Sequence, residues 1–169
     1  MSVPRPSVTG MENDAKVRQF LDQQDAWTRD TVRRRGWAIE YVHGEGEAPP
    51  CAYTVGLFGF GYPELVVFGM RAGESAALLN DVGGRVRGGE SIVPGELVTF
   101  AHWPHRLHVL PLVNAAQVLF GANRFFGRPD HDSVPGLQLV WDDRLGRFPW
   151  EPDYEPPQWL QPLPGTFRA

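Results

Sequence analysis

The chain is expected to fold as one α+β domain, a mainly antiparallel sheet of five to six strands with helices packed on one face of it. Three observations lead there. Its 169 residues are 42% hydrophobic and 21% charged, enough for one core and short for two. One long amphipathic segment comes first, and the strand-like runs after it are clustered. Those runs do not alternate regularly with helices, as a doubly wound parallel sheet would require.

Residues 1–11 (MSVPRPSVTGM) mix Pro, Ser, Thr and Gly without a period and are expected to be a flexible lead-in. A helix should start at Asn13 or Asp14, either of which can cap it. Val17, Phe20, Leu21, Trp27 or Thr28, and Val32 then recur near helical spacing. Arg33, Arg34 and Arg35 suit the negative end of the helix dipole, and Gly36 supplies a stop. Three strands are expected next, at 37–43, 51–57 and 64–70. The first alternates, with Trp37, Ile39 and Tyr41 on one face. The third carries ELVVF, the nearly continuous apolar run of a central strand. A helix over 74–87 buries Leu78, Leu79, Val82 and Val86, although Gly83 and Gly84 each cost roughly 1 kcal/mol there. Strands follow at 96–100 and 106–111, a short helix at 114–125, and a last strand at 137–141 with Asp142, Asp143 and Gly146 in its turn. The single domain should span 12–154. Pro then recurs too often for helix or sheet, so 155–169 is expected to be an extended tail, with Trp150 and Trp159 available to pin the C-terminal stretch.

A formal net charge of −4 leaves no broad basic surface, which speaks against nucleic-acid partners. Of the 16 basic residues only Lys16 is lysine, a usage that shows no particular contact. Cys51 is the sole cysteine, so no internal disulfide can form. Neither a secretion signal nor an apolar run of membrane-spanning length is visible, and the cytoplasm is the expected location without membrane association.

The polar candidates are modest. AHWPHRLHVL places His102, His105 and His108 three apart, but on a strand such residues point to alternating faces, so no metal is expected there. Asp130, His131, Asp132 and Ser133 sit beside Pro and Gly and fit a solvated turn. Cys51 fits a buried small hydrophobe. The run from Gly56 to Gly61 (GLFGFG) lacks both the phosphate-loop and the dinucleotide pattern, and no cofactor is expected.

The motifs at Gly36-Trp37, AYTVGL (52–57), GYPELVVFG (61–69), LLNDV (78–82), PGE (94–96) and LQLVWDDRLGRFPWEPDY (137–154) together resemble the bacterial domain-of-unknown-function family numbered 4262, over about residues 36–154. That family commonly has His where this chain has Tyr62, and an aromatic where it has Cys51. A Tyr could not replace a His base at neutral pH, so the departure favours binding over catalysis. The resemblance implies a fold class but no established activity, although some members look like components of toxin–immunity or other conflict loci. The expected function is a non-catalytic binding module, immunity-like or from a conflict system, that engages a protein partner. The alternative is a small metal-independent enzyme acting on a small-molecule ligand. For either, the candidate site residues are Tyr53, Thr54, Tyr62, Glu64, Gln138 and Asp143, which lie at expected strand ends or in adjoining loops.

Overall fold

Six segments of alternating or continuously apolar sequence pair into one sheet in the computed structural model, which describes residues 8–163. In chain order the elements are α1 (Val8–Arg35), β1 (Ala38–Val42), β2 (Cys51–Val55), a 3-10 turn (Leu57–Phe60), β3 (Glu64–Phe68) and α2 (Ala72–Arg87). There follow β4 (Leu97–Val98), β5 (Leu107–Pro111), α3 (Ala115–Val118), α4 (Phe120–Phe126), a 3-10 turn at Asp130–Asp132, β6 (Gly136–Trp141) and a last 3-10 turn at Gln158–Leu160. The strands lie in the order β1-β2-β3-β6-β5-β4, so the ELVVF run is central and every residue of β3 is buried. All neighbours are antiparallel except β3 and β6, which run parallel over the three pairs Glu64–Gly136, Leu65–Leu137 and Val66–Gln138. The α+β expectation holds: two antiparallel triplets meet along that parallel seam.

The expectation of helices on one face does not hold. Leu65, Val67, Leu137 and Leu139 pack with Leu78, Leu79, Val82 and Val86 of α2 on one side. Tyr53, Val55, Val66 and Phe68 pack with Leu119 and Ala122 on the other. A strand buried on both faces needs cover on both, and α3–α4 with the end of α1 supply the second layer. The expected core residues Leu65, Val67 and Leu139 are all at most 1% exposed.

Several boundaries move. The first helix begins at Val8, so 8–11 are helical, while 1–7 lie outside the described residues. Once a helix is nucleated, each added residue gains a hydrogen bond, so weak formers at its start are carried along. Among residues 10–35 of α1 only Thr28 and Thr31 are buried, and 10–20 are exposed throughout. The expected helix at 114–125 is interrupted at Leu119 (φ −90°, ψ 47°), whose side chain drops into the core. In α2, Gly83 has a packing reason: a Cβ there would come within 3.2 Å of the Trp37 indole. The tail is not extended throughout, since 158–160 form a 3-10 turn, and 164–169 lie outside the described residues. Trp150 packs against His108 of β5 (5.1 Å) and stacks on Phe148 (5.0 Å), Trp159 is 43% exposed, and further along the tail is pinned by Gln161. The buried Gln161 amide accepts the Trp141 N–H (3.0 Å) and donates to the Trp141 carbonyl (2.8 Å), continuing the ladder beside β6 where its pairing with β3 has ended.

Candidate functional site

The six polar residues singled out from sequence do not gather in one place. Glu64 and Thr54 do meet, at the end of β2. One Glu64 oxygen accepts the N–H groups of Gly56 (2.8 Å) and Phe58 (3.1 Å). The other accepts the Thr54 hydroxyl (2.6 Å) and the Leu57 N–H (3.3 Å). Burial pushes the Glu64 carboxyl above its ordinary 4.5, and the Thr54 hydroxyl and the three N–H groups pull against it. A carboxylate with four donors holds the GLFGFG turn together and has no oxygen left for chemistry.

Tyr53 and Gln138 share a row across the sheet, in register through Val66. Two strand spacings, roughly 10 Å, separate them. The Tyr53 hydroxyl donates to Glu40 (2.8 Å) and accepts the Gly121 N–H (3.0 Å), while Thr28 also donates to Glu40 (3.2 Å). Gln138 donates to the Pro162 carbonyl (2.6 Å). Tyr62 is half-buried against the α2-side core. Asp143 lies beyond the far end of β6, whose start is level with Glu64, so the two carboxylates sit at opposite ends of the sheet. Burial works to raise the Asp143 pKa, but the N–H groups of Arg147, Glu155 and Leu145 and the Arg147 side chain outweigh it and hold the group at about 2.

Cys51 is buried, and that burial pushes its thiol up to about 11, as fits a packing residue. The histidine run is not a strand throughout. His102 and His105 precede β5, and only His108 is on it, edge-on to Phe148 and Trp150. Among the described residues no three His, Cys, Asp or Glu side chains are grouped to hold a metal ion.

The arrangement best suited to a ligand lies where the sequence offered only that histidine run. A trough of about 330 Å³ runs along α2, with Leu78 in its lining and Phe100, His102 and Trp103 as its far wall. This size is at the lower end of ligand pockets. The wall is irregular chain held by ring contacts: Phe100 to Trp103 (5.3 Å), Trp103 to His105 (4.8 Å) and His105 to Trp141 (5.9 Å). His105 Nδ1 lies 2.7 Å from the Asp142 carbonyl, which can only accept, so Nδ1 carries the proton. Asp142 also takes the Arg106 backbone N–H (3.0 Å) and guanidinium (2.8 Å), fixing the start of β5. At one end of the trough Arg85 binds Asp81 (2.8 Å), donates to the Thr99 carbonyl (3.1 Å) and lies over Phe100 (4.7 Å).

In the two other cavities several polar groups are engaged internally, while Arg35 in one and Arg29 in the other have no hydrogen-bond or ion-pair partner among the described residues. A larger groove of about 530 Å³ follows the β1 edge, but the Trp37 indole N–H there is bonded to Asn80 (3.1 Å) and the Tyr41 hydroxyl to Met70 (3.0 Å). A third cavity, of about 270 Å³ above Gly121, is lined by Asp25 and Arg124, which are paired with each other (2.7 Å). Around the α2 trough, Glu74, His102 and the Trp103 N–H have no hydrogen-bond or ion-pair partner among the described residues, and there the unclaimed groups include a carboxylate and sit beside an aromatic wall. Sequence reasoning missed Phe100, Trp103 and Glu74. The density of aromatic rings between 100 and 105 was the available signal.

Among the described residues no helix is long and apolar enough to cross a membrane. Comparison with curated proteins and with solved structures returns no match. The model of a family described as "Domain of unknown function (DUF4262)" matches residues 31–155, which takes in the whole sheet, α2 and the trough, and leaves out most of α1. The chain belongs to the DUF4262 family.

Proposed function

We propose that the chain is a non-catalytic binding module that seats a side chain of a protein partner in the trough between α2 and residues 100–103. The observation that carries this reading is the coincidence of an aromatic wall with unclaimed polar groups at Glu74, His102 and Trp103. The carboxylates of the sheet ends are otherwise employed: Glu64 in a turn, Asp142 and Asp143 in their loops. An immunity-like role, in which the chain covers a partner, is one use of such a surface. The lone buried thiol suits a reducing compartment, and we place the chain in the cytoplasm.

A photo-crosslinking amino acid placed at His102, with Leu145 (70% exposed) as the control position, tests this in the native host. A discrete protein adduct formed from 102, absent from 145 and lost with Trp103→Ala, is the expected result. Adducts of the same pattern from both positions, or none from 102, would overturn the reading.

A further inference from the structure

We infer that the trough receives a cationic side chain, a guanidinium or ammonium on an apolar stem, presented by a basic segment of the partner. This rests on the binding reading above and narrows it to one chemistry. The chain contains its own example of the contact. Arg85 pairs with Asp81 at 2.8 Å while its guanidinium covers the Phe100 ring at 4.7 Å, so one carboxylate and one aromatic ring hold one cation at that end. The same elements recur towards the other end. Glu74 precedes Asp81 by seven residues, two turns and roughly 10 Å along the same helix face. It is exposed, and among the described residues no cation pairs with it. Leu78 lies between the two carboxylates on the helix, and Trp103, in ring contact with Phe100 (5.3 Å), is a second aromatic ring lining the same trough.

The charges decide the sign of the ligand. Two carboxylates and one already-paired arginine line the trough, so an anion would meet net repulsion and a cation a free carboxylate. An indole face is the strongest aromatic surface for a cation. The apolar floor suits the methylene stem that arginine and lysine lay against such surfaces. The whole chain, at −4, adds a weak field of the same sign.

The test uses the full chain with 15N-labelled indoles, the Trp103 signal being identified by its loss in Trp103→Phe. Three probes are titrated: n-butylguanidinium, its neutral isostere n-butylurea, and indole. The guanidinium is expected to bind about tenfold more tightly than the urea, the combined effect of one exposed ion pair and one cation–π contact. Glu74→Gln should shrink that ratio several-fold and leave indole unchanged. If indole moves the Trp103 signal but the two butyl probes bind equally, the cationic inference is wrong and the binding trough stands. If no probe moves the signal, the trough reading fails with it.

Discussion

Replacing Tyr53 by Phe removes one oxygen from beneath α4 and leaves the ring packing intact. Tyr53 is 2% exposed, and its hydroxyl joins three elements: it donates to Glu40 on β1 at 2.8 Å and accepts the Gly121 N–H of α4 at 3.0 Å. Without it the buried Gly121 N–H is orphaned, at a cost of about 1–3 kcal/mol, and the Glu40 carboxylate keeps only the longer bond from Thr28. Allowing for partial relaxation, the loss should be roughly 3 kcal/mol. With a urea m-value of about 2 kcal/mol/M, that lowers the unfolding midpoint by about 1.5 M. The pH dependence supplies a second readout. Burial first, and then the Glu40 charge, push the Tyr53 pKa above its ordinary 10.0. A raised folded-state pKa means that this stabilisation is complete below pH 10 and is lost as the pH rises further, by about 1.4 kcal/mol per pH unit while the folded group stays protonated. The Phe variant has no such group, so the gap between the two proteins should narrow above pH 10. A neutral-pH loss under about 0.5 kcal/mol, or a gap that widens at alkaline pH, would refute the role given to this hydroxyl.

Gly121→Ala places a Cβ on the Glu40 carboxylate and should cost more than Tyr53→Phe, roughly 4 kcal/mol by chemical unfolding. The penalty should shrink in a Glu40→Ala background, and a penalty unchanged there would locate the strain elsewhere. Asp143 titrates at about 2 in the folded chain against 3.8 ordinarily, so its contribution is complete above pH 3.8 and lost as the pH falls towards 2. Acid unfolding curves of the wild type and Asp143→Asn should therefore converge over that window, and parallel curves would contradict it. The Cys51 thiol, buried and pushed up to about 11, should be unreactive to an aromatic disulfide reagent at pH 8 until urea unfolds the chain. Prompt stoichiometric reaction of the native protein would show that β2 opens readily.

The strands were legible because their apolar periods survive without tertiary information. ELVVF and LQLVW announce themselves, and both are central. The same continuity at β3 also implied two covered faces, which is the signal that helices lie on both. The parallel seam had no local signature, since β3 and β6 are separated by two helical regions and two strands. Glu40 shows a subtler limit. In WAIEYVH it occupies the polar half of an alternation, which ordinarily means solvent, yet it is 6% exposed because α1 and α4 close over it. Of the candidate site, Thr54 with Glu64 came together because their strands are hairpin neighbours. Tyr62 and Asp143 did not join them, and nothing in residue type could place the loop at 100–105 against α2.

The short parallel seam has a consequence for how the chain could be cut. Each antiparallel triplet is contiguous in sequence, the first ending with α2 and the second starting at β4, with an exposed connection around Gly88–Glu90 between them. The first carries the helix that must cover Leu137 and Leu139 of the second, so neither piece alone can hide its apolar surface. Co-expressed halves divided after Gly89 should therefore reconstitute a 1:1 complex, with β3 and β6 finding each other as an intermolecular pair. The native connection would then act as a tether that raises local concentration, and the protein would be a ready-made split reporter.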